Sequence, residues 1–476
     1  MNVRNKLENL FGKWSGERSV SFTPLPESGS ARKYYRLRGI KNSAVGVYNP
    51  DKRENSAFAY LAKHFKKINL NVPRIYASDQ KENIYLIEDL GDQTLFNILT
   101  LPAGKKQFSP YDLDLIQRSL IDLTRFQIHG SKGIDYNKCY PRPSFDRQSI
   151  LWDLNYFKYY FLKLAGIQFD EQKLEEDFST LTGHLLKAEK NYFMYRDFNS
   201  RNIMVLDEEL FFIDFQGGRK GPLQYDAVSF LFSSKLNFDG QLRSELLEFY
   251  IESVNKLKKI DSKQFKKYFY DFALIRILQM LGAYGYRGYF QGKAHFITSI
   301  AFAINNLESV LNSKKIRLKM PELYNCFGLI IDKMNSGFFP LPSQSTGKLN
   351  VRISSFSYRE RIPSDFTGNG GGFVFDCRAI PNPGRIEKYK HLTGKDLPVK
   401  EFLESQPEAM KFLKESTDIV EQSVKNYIER GWTDLMINYG CTGGQHRSVF
   451  CAESLASYLR SKYDINVILT HTKFSG

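Results

Sequence analysis

Short apolar runs separated by turn residues dominate the first 90 residues of the chain. Residues 28–39 (SGSARKYYRLRG) predict a hairpin, residues 44–49 (AVGVYN) a strand, and residues 83–92 (NIYLIEDLGD) a strand that runs into a turn. Residues 54–68 (ENSAFAYLAKHFKKI) have apolar positions at helical spacing, and their first Glu, Asn and Ser supply capping chemistry. The pattern predicts a small β-rich lobe with one helix.

A longer region of helical spacing follows. Its apolar residues repeat with the period of an α-helix at 111–129, 149–166, 171–190, 240–258, 262–285 and 295–312. One hydrophobic hairpin pattern interrupts these helices near residues 203–214. A β-rich lobe followed by a helical lobe is the outline of a bilobal, protein-kinase-like fold.

A stretch rich in Pro, Ser and Gly at residues 335–349 (NSGFFPLPSQSTGKL) ends the helical region. After it, strands and helices alternate, with one helical stretch from about 400 to 430, which predicts a small α/β domain with a partly parallel sheet. We therefore expect a first domain over 1–335, a linker over 336–348 and a second domain over 349–476.

Composition narrows the functional classes. No apolar run approaches the roughly 20 residues that span a bilayer, and the N-terminus lacks a secretory core, so we expect a cytoplasmic protein without a membrane partner. Five scattered cysteines without C-x-x-C spacing argue against disulfides and structural zinc.

The net charge is +15, but residues 349–476 hold 17 Lys and Arg against 15 Asp and Glu. The excess is dispersed over predicted helices of the first domain, so the charge pattern leaves RNA binding unsupported.

The most informative segment is YRDFNSRNIMVLDEELFFIDFQG, residues 195–217. Asp197 can accept the proton of an attacking hydroxyl, Asn202 can serve as a neutral metal ligand, and Asp214 follows the apolar run LFFI. Phosphoryl transfer needs such a carboxylate and oxygen ligands that hold Mg²⁺ against nucleotide phosphates. The spacing predicts a kinase that uses ATP and Mg²⁺, whereas the bland alternative is a loop of common turn residues.

YRDFNSRN together with IDFQGGRKGPLQYDAVSF resembles the aminoglycoside phosphotransferase-like kinases over about residues 15–330. The branch that phosphorylates the cell-wall amino sugars N-acetylmuramate and N-acetylglucosamine is the most similar. The resemblance implies that Asp197 is the catalytic base and that Asn202 and Asp214 bind Mg²⁺. It also implies that Arg201 steadies negative charge nearby and that Asp226 supports the loop.

The chain departs from the kinase pattern at the nucleotide phosphates. The strand AVGVYN has Val47 or Tyr48 where kinases generally place a lysine. Arg32 or Lys33, in the turn before the strand, is our candidate for the missing charge, and the alternative is that both are ordinary turn residues. The backbone at Glu88 and Leu90 is expected to receive adenine. Candidates for sugar selection are Asp153, Asn155, Tyr284 and Arg287, with none preferred.

LMINYGCTGGQHRSVFCAESLASYL (435–459) predicts a strand, a glycine-rich turn and a helix. Backbone N–H groups of such a turn converge on an anion at the helix N-terminus, beside His446 and Arg447. We call residues 441–447 the phosphate cradle. The same letters fit C-x-x-G-x-x-R-S of cysteine phosphatases, with Cys441 as the nucleophile and Asp376 as the general acid. Phosphate binding without chemistry, a phosphatase and a purely structural turn all remain open from these letters.

FVFDCRAIPNP, LTGKD and GCTGGQHRSV together resemble the C-terminal domain of the RNase adaptor RapZ over about residues 350–472. That resemblance implies binding of glucosamine-6-phosphate and of partner proteins, and no phosphatase activity. It also implies, by analogy, self-association through this domain. The family's N-terminal P-loop is absent, and its terminal His-Arg reads His471-Thr472. The residues carried over as phosphosugar ligands are Arg378, Asn382, Thr442, Gly443, Gly444, His446 and Arg447.

The two resemblances point to one class of small molecule. The first domain is expected to phosphorylate an amino sugar, and the second to bind a phosphorylated amino sugar and regulate the first. One competing hypothesis is a pseudokinase adaptor that senses amino-sugar phosphate and binds protein or RNA partners. The other is a kinase whose acceptor is a nucleoside-diphosphate sugar or another small alcohol, or whose product carries the phosphate at a different carbon.

Overall fold

The computed structural model describes residues 2–26, 32–100, 107–234, 236–336, 338–339, 348–360, 362–363, 365 and 371–473. The chain divides into two compact units. The first contains Met1–Tyr159, Phe169–Gly282 and Asn305–Tyr324, and the second contains Tyr160–Gln168, Ala283–Ile304 and Asn325–Gly476. The domain boundaries given above stay a prediction, and most of the expected linker lies outside the described residues.

The first unit begins with a five-stranded antiparallel sheet of order β1-β2-β3-β5-β4. Its strands are β1 (Ser21–Pro24), β2 (Lys33–Arg38), β3 (Ser43–Tyr48), β4 (Ile75–Asp79) and β5 (Ile84–Glu88). Helix α1 (Val3–Ser15) buries Leu7 and Phe11 against this sheet. The hairpin expected at 28–39 is, where described, the single strand β2 between β1 and β3, and residues 28–31 lie outside the described residues.

Helix α2 (Lys52–Lys67) is the helix predicted in this lobe, but it begins earlier than predicted. Its N-cap is Asp51, whose carboxylate accepts from the N–H groups of Arg53 and Glu54 at 3.0 and 3.1 Å. Because Asp51 caps the helix, the Glu54 side chain is left for another role.

The helices that follow along the chain are α3 (Leu95–Leu99), α4 (Pro110–Ile128), α5 (Arg147–Phe157), α6 (Glu171–Leu185), α7 (Leu223–Leu231), α8 (Gly240–Leu257), α9 (Ser262–Gly285), α10 (Ala294–Asn312) and α11 (Pro321–Asn335). The six predicted helices are confirmed as α4, α5, α6, α8, α9 and α10, whereas α3, α7 and α11 were not predicted. No helix in the described part of the chain combines the length and apolar character needed to cross a bilayer.

Two short antiparallel pairs lie among these helices. Strand β6 (Tyr192–Met194) pairs with β9 (Arg219–Gly221), and β7 (Ile203–Leu206) pairs with β8 (Glu209–Phe212). The predicted hairpin is thus β7–β8. Because Ile203 faces Phe212 in the register, Asn202 before β7 and Asp214 after β8 meet at the open end of the hairpin.

The second unit contains a four-stranded sheet of order β11-β12-β10-β13, in which every neighbouring pair is parallel. Its elements are β10 (Asn350–Ser357), β11 (Gly372–Asp376), α12 (Leu397–Glu404), α13 (Pro407–Glu429), β12 (Asp434–Cys441), α14 (Arg447–Lys462) and β13 (Asn466–His471). The α/β prediction is confirmed. The single helical stretch expected from about 400 to 430 is two helices, because Pro407 lacks an N–H and occupies the first turn of α13.

Strand β12 is the buried centre of this sheet, since all of its residues are buried. It lies between β11 and β10, with Gly440 beside Asp376 and Cys441 beside Ser357. The carboxyl ends of three parallel strands therefore meet where the glycine-rich turn begins, which is the usual ligand edge of such sheets.

Candidate active site and phosphate cradle

A buried carboxylate of helix α7 holds the segment that precedes Asp197. The N–H groups of Tyr195 and Arg196 donate to Asp226 at 2.7 and 2.8 Å, and Gln127 Nε2 donates to it at 3.2 Å. Burial raises the pKa of Asp226 to about 7, because the three donors offset only part of the desolvation. Asp226 thus fixes the backbone that presents Asp197, in keeping with the supporting role expected for it.

Asp197 keeps 48% of its side chain exposed, so a substrate can reach it. The guanidinium Nη2 of Arg276, on α9, lies 3.9 Å from Asp197 Oδ1. Desolvation by the surrounding protein raises the pKa of Asp197, Arg276 opposes that rise, and Asp214 adds to it. A carboxylate whose pKa is raised accepts a proton more readily, which suits a general base.

Asn202 joins the other two residues of the predicted set. Its Nδ2 donates to the backbone oxygen of Asp197 at 2.9 Å and approaches Asp214 Oδ2 at 3.4 Å. Because the amide nitrogen makes both contacts, the amide oxygen is the atom left to face a ligand. Asp214 has a left-handed backbone (φ 65°), which tilts its carboxylate toward this hairpin end. The structure therefore brings Asp197, Asn202 and Asp214 together.

Arg32 reaches the same place from the start of β2. Its Nη2 lies 3.0 Å from Asp214 Oδ1 and 3.4 Å from Glu54 Oε1, and its Nη1 donates to the Tyr34 hydroxyl at 3.0 Å. The Arg32 side chain is only 9% exposed. Lys33, by contrast, is exposed on β2. Of the two candidates for the missing lysine, Arg32 is the one that the structure places beside Asp214, the carboxylate predicted to bind the metal.

Glu88 is the last residue of strand β5, and Leu90 lies just after it. The Glu88 N–H donates to the Arg74 oxygen at 2.9 Å, and the Glu88 carboxylate accepts from the Arg74 N–H at 3.0 Å. The N–H of Glu88 is therefore engaged by the protein itself. Leu90 is buried. Recognition of adenine through these positions stays a prediction.

Arg36, on β2, ties down the segment after β5. It donates to Asp89 at 3.1 Å, to both Asp92 oxygens at 2.9 and 2.8 Å, and to the Gly91 oxygen at 2.9 Å. The sequence analysis did not single out Arg36. The sequence feature that could have indicated Arg36 is the cluster of acidic residues in EDLGD, because such a cluster needs a cation when it is packed against the sheet.

Arg201 lies over the Phe96 ring, with the guanidinium carbon 4.7 Å from the ring centre. The cation that approaches the Asp197 carboxylate is Arg276. Sequence reasoning missed Arg276, although a lone arginine within the apolar run ALIRILQML is a signal that it has a buried partner.

Asp153 forms a two-point ion pair with Arg196, at 2.9 and 2.5 Å. The Tyr225 ring lies 5.1 Å from the Arg196 guanidinium and 5.8 Å from that of Arg276. Because both carboxylate oxygens of Asp153 bind Arg196, Asp153 stabilises the loop that carries Asp197. Tyr284 and Arg287 both contact Phe296 in the second unit.

The donor set at the hairpin end fits a magnesium-bound nucleotide. Asp214 supplies a carboxylate and Asn202 an amide oxygen, which are hard oxygen ligands of the kind Mg²⁺ takes. Gln216 Nε2 donates to Asp214 Oδ1 at 2.6 Å. The other amide atom, Gln216 Oε1, is buried without a hydrogen-bond partner among the described residues. A polar atom in that state beside the carboxylate predicted to bind the metal is an expected neighbour of a cation or its bound water.

The phosphate cradle joins β12 to α14. Gly444 has a left-handed backbone (φ 66°), and a Cβ there would lie 3.0 Å from the Ser357 nitrogen, so the turn requires glycine. Ser357 Oγ donates to the Thr442 oxygen at 2.8 Å, whereas a Cβ at Gly443 would meet nothing. The structure brings Thr442, Gly443 and Gly444 together at the start of α14, where N–H groups favour an anion.

Arg447 and His446 are buried at the start of α14. Arg447 Nη1 donates to the Arg378 and Ile380 oxygens at 3.1 and 3.0 Å. Among the described residues nothing accepts from Arg447 Nε–H, which is buried. His446 Nε2 contacts the Tyr389 oxygen at 2.9 Å, and burial lowers the pKa of its ring. Because His446 is neutral, Arg447 is the residue of this pair that supplies a positive charge to the cradle.

Arg378 and Asn382 border the cradle, but their side chains have local partners. Arg378 is paired with Asp376 at 2.7 Å and lies over the Tyr358 ring at 4.3 Å. Asn382 Oδ1 accepts from the Gly384 N–H at 3.2 Å. The Arg378 guanidinium lowers the pKa of Asp376, so this carboxyl is ionised at neutral pH and is unsuited to donate a proton as a phosphatase acid.

Comparison with known families decides the relationship of the chain. The family model described as the phosphotransferase enzyme family matches residues 21–259, about half of the chain, and contains the whole Asp197–Asn202–Asp214 set. The chain belongs to the phosphotransferase enzyme family. A second model, for the RapZ C-terminal domain, matches residues 349–475 of this phosphotransferase and contains the cradle.

Curated relatives of the phosphotransferase include two nucleotide-binding proteins. The one from Thermosipho africanus is 40% identical over 124 residues, which is 26% of this chain and 42% of the relative. The one from Fusobacterium nucleatum is 35% identical over 181 residues, which is 35% of this chain and 59% of the relative. The chain thus spans about half the length of these relatives.

Solved structures similar to the phosphotransferase include two small-molecule kinases. The Plasmodium vivax ethanolamine kinase has 14% identity and a TM-score of 0.46, over 63% of this chain and 85% of that one. Amicoumacin kinase in complex with AMP-PNP, Ca²⁺ and Ami has 12% identity and a TM-score of 0.44, over 65% of this chain and 96% of that one.

Proposed function

We propose that the protein is a cytoplasmic, ATP- and Mg²⁺-dependent kinase that phosphorylates a hydroxyl of an amino sugar of the N-acetylmuramate or N-acetylglucosamine type. The observation that carries the proposal is the assembly of Asp197, Asn202 and Asp214 at one hairpin end. Membership of the phosphotransferase family supports it. The sugar class rests on the resemblance of the segment 195–217 to cell-wall sugar kinases.

In this proposal Asp197 accepts the proton of the sugar hydroxyl as that oxygen attacks phosphorus. Asp226 holds the loop in place, and Arg276 limits the rise in the Asp197 pKa so that the carboxylate stays available as a base. Asn202 and Asp214 would hold Mg²⁺, which neutralises charge on the nucleotide phosphates when bound. Arg32 supplies a further positive charge at the same end of the hairpin.

The position of Arg32 bears on the competing pseudokinase hypothesis. That hypothesis draws on the absence of a lysine from β3. Kinases pair that lysine with a helix glutamate, and here Arg32 is paired with Glu54 of α2 and with Asp214. The positive charge that the missing lysine would have carried on β3 is therefore available from Arg32, directly before β2. This favours an active enzyme over a pseudokinase.

For the second domain we propose binding of a phosphorylated amino sugar, of the glucosamine-6-phosphate type, in the phosphate cradle. The left-handed turn at Gly444, the N-terminus of α14 and the buried Arg447 support an anion site. We further propose that the bound phosphosugar regulates the kinase. Adding glucosamine-6-phosphate should change turnover by the full-length enzyme, and Arg447→Gln should remove that response; an unchanged rate with bound phosphosugar would contradict regulation.

The test of the kinase is ATP turnover by the full-length protein with a panel of amino sugars. Asp197→Asn should reduce turnover by about 10²–10⁴-fold, because it removes the base. Asp207→Asn is the matched control, since Asp207 lies exposed in the turn of the same hairpin. Absence of turnover with every sugar, together with absence of Mg·ATP binding, would contradict the proposal and favour the adaptor.

A further inference from the structure

The thiol of Cys441 lies at the base of the phosphate cradle, surrounded by donors. The Gly444 N–H donates to Cys441 Sγ at 3.2 Å, and Ser448 Oγ lies 3.1 Å from the same sulfur. The backbone N–H of Ser448, in the first turn of α14, also hydrogen-bonds the sulfur. A neutral thiol gains little from three donors, whereas a thiolate is stabilised by each of them.

A second observation points to an anion at the same place. Arg447 is only 6% exposed, and its Nε–H has no acceptor among the described residues. The Arg447 charge contributes to the lowered pKa of the Cys441 thiol, and both residues belong to the seven-residue cradle. A buried guanidinium N–H without an acceptor is costly unless an anion completes it.

We propose that Cys441 is a reactive thiolate and a site of oxidation and alkylation, and that a phosphate bound in the cradle shields it. The inference rests in part on the proposed phosphate-binding role of the cradle. It differs from a phosphatase, because the neighbouring Asp376 is bound to Arg378 and is a poor proton donor.

The chemistry follows from a thiolate in a confined loop. Toward hydrogen peroxide, sulfur attacks one oxygen, an S–O bond forms and the O–O bond breaks. The leaving hydroxide takes a proton and departs as water; sulfur loses two electrons and the peroxide gains them. The sulfenic acid oxygen then occupies space at the base of the cradle, so oxidation is expected to weaken phosphosugar binding.

The other cysteines provide an internal comparison. Burial raises the pKa of Cys441, but the hydrogen bonds from Ser448 and Gly444 and the Arg447 charge outweigh it, and the net pKa is lowered. Burial raises the pKa of Cys377 well above its usual value and that of Cys139 to about 12. The charged and titratable groups that act on Cys441 from packed elements are Arg447 on α14 and Cys377 after β11.

The experiment is pulsed alkylation of the full-length protein with iodoacetamide, read out per cysteine by peptide mass spectrometry. At neutral pH, Cys441 should react about tenfold or more faster than Cys377 and Cys139, because it is the one of these three buried cysteines whose pKa is lowered rather than raised. Millimolar inorganic phosphate should slow Cys441 alone, relative to chloride at equal ionic strength. A brief peroxide pulse before alkylation should block Cys441 first.

Ser448→Ala should slow the labelling of Cys441 and shift its pH profile upward. The matched control is Ser454→Ala, since Ser454 lies on the same helix and donates to its own helix backbone at 2.8 Å. If Ser448→Ala fails to fold, the pH profile of the wild-type protein still decides. Labelling of Cys441 no faster than Cys377, or labelling that phosphate leaves unchanged, overturns the inference.

Failure of this inference is distinguishable from failure of the proposed function. Calorimetric titration of glucosamine-6-phosphate into the same protein measures the cradle without reference to the thiol. Phosphosugar binding with an unreactive Cys441 overturns the inference and leaves the proposed function standing. A reactive Cys441 with neither phosphate protection nor phosphosugar binding overturns both.

Discussion

The two proposed anion sites of this chain are built in different ways. At the hairpin end of the first unit, the functional groups are side chains from distant parts of the sequence, namely Arg32, Glu54, Asp197, Asp214 and Arg276. In the cradle, most donors belong to one turn of seven residues and are backbone N–H groups. A site of side chains fails when one charge is removed. A site built largely of backbone groups should in addition fail when the turn itself cannot form, even if its one charge, Arg447, is kept.

Removal of the Asp214 charge is expected to have the largest effect. Asp214→Asn should reduce turnover by about 10³-fold, because the carboxylate is the charged group proposed to hold Mg²⁺ and the partner of Arg32. Steady-state kinetics with a magnesium titration is the measurement. Asp207→Asn should leave turnover unchanged, and an equal loss in both variants would show that the hairpin, rather than the charge, matters.

Arg32 and Lys33 are adjacent and both positively charged, but only Arg32 lies beside Asp214. Comparing variants of the two therefore distinguishes the effect of position from the effect of charge. Arg32→Gln should raise the apparent KM for ATP by about 10–100-fold, the value of one or two charge-assisted hydrogen bonds. Lys33→Gln should change it less than about twofold, because Lys33 is exposed. ATP titration of the initial rate checks both variants. Equal effects would contradict the assignment of Arg32 to the nucleotide phosphates.

Gly444 and Gly443 make the corresponding pair in the cradle. Gly444→Ala should weaken binding of glucosamine-6-phosphate by about tenfold, because a left-handed backbone with a Cβ costs about 1–2 kcal/mol. Gly443→Ala keeps its N–H and its Cβ would meet nothing within 4 Å, so binding should change little. Calorimetric titration is the measurement. A larger loss in Gly443→Ala would show that the cradle does not bind through this turn.

The smallest expected effect concerns the pH dependence of stability in the first unit. The folded-state pKa of Asp226 is about 7 against an ordinary value of 3.8, so the folded protein holds this proton more tightly than the unfolded chain. Its contribution is fully present below about pH 4 and is lost as the pH rises through 7. Denaturant unfolding from pH 4 to 8 should show a shallower decline in Asp226→Asn than in the wild type. Parallel curves would contradict the raised pKa.

The hydrophobic pattern and residue spacing predicted those features that depend on residues close together in the sequence. The helical period found α4 and α8, and the spacing of Asp197, Asn202 and Asp214 predicted that they meet, because one short hairpin joins them. The break before α13 was missed, although Pro407 was a sufficient signal. Glu54 was interpreted as capping chemistry, whereas Asp51 is the cap.

The side chains that contact the predicted site residues come from distant parts of the sequence, and local sequence patterns did not indicate them. Arg32 meets Asp214 across 182 positions of sequence, and the contact depends on how β2 and the β7–β8 hairpin pack. Arg201 was expected to steady negative charge because it is near in sequence, yet it lies over Phe96. Sequence proximity is thus a poor guide to which cation serves a carboxylate when several helices surround it.

Strand β2 carries a consequence for how this chain can evolve. Arg32 directly precedes β2 and Arg36 lies within it, and a spacing of four positions in an extended chain places two side chains on the same side. One serves the hairpin end and the other the acidic segment after β5. A single-residue insertion or deletion between them would turn one of the two to the opposite side. We therefore expect this strand to keep its length in homologues, and surface loops elsewhere in the first domain to vary freely.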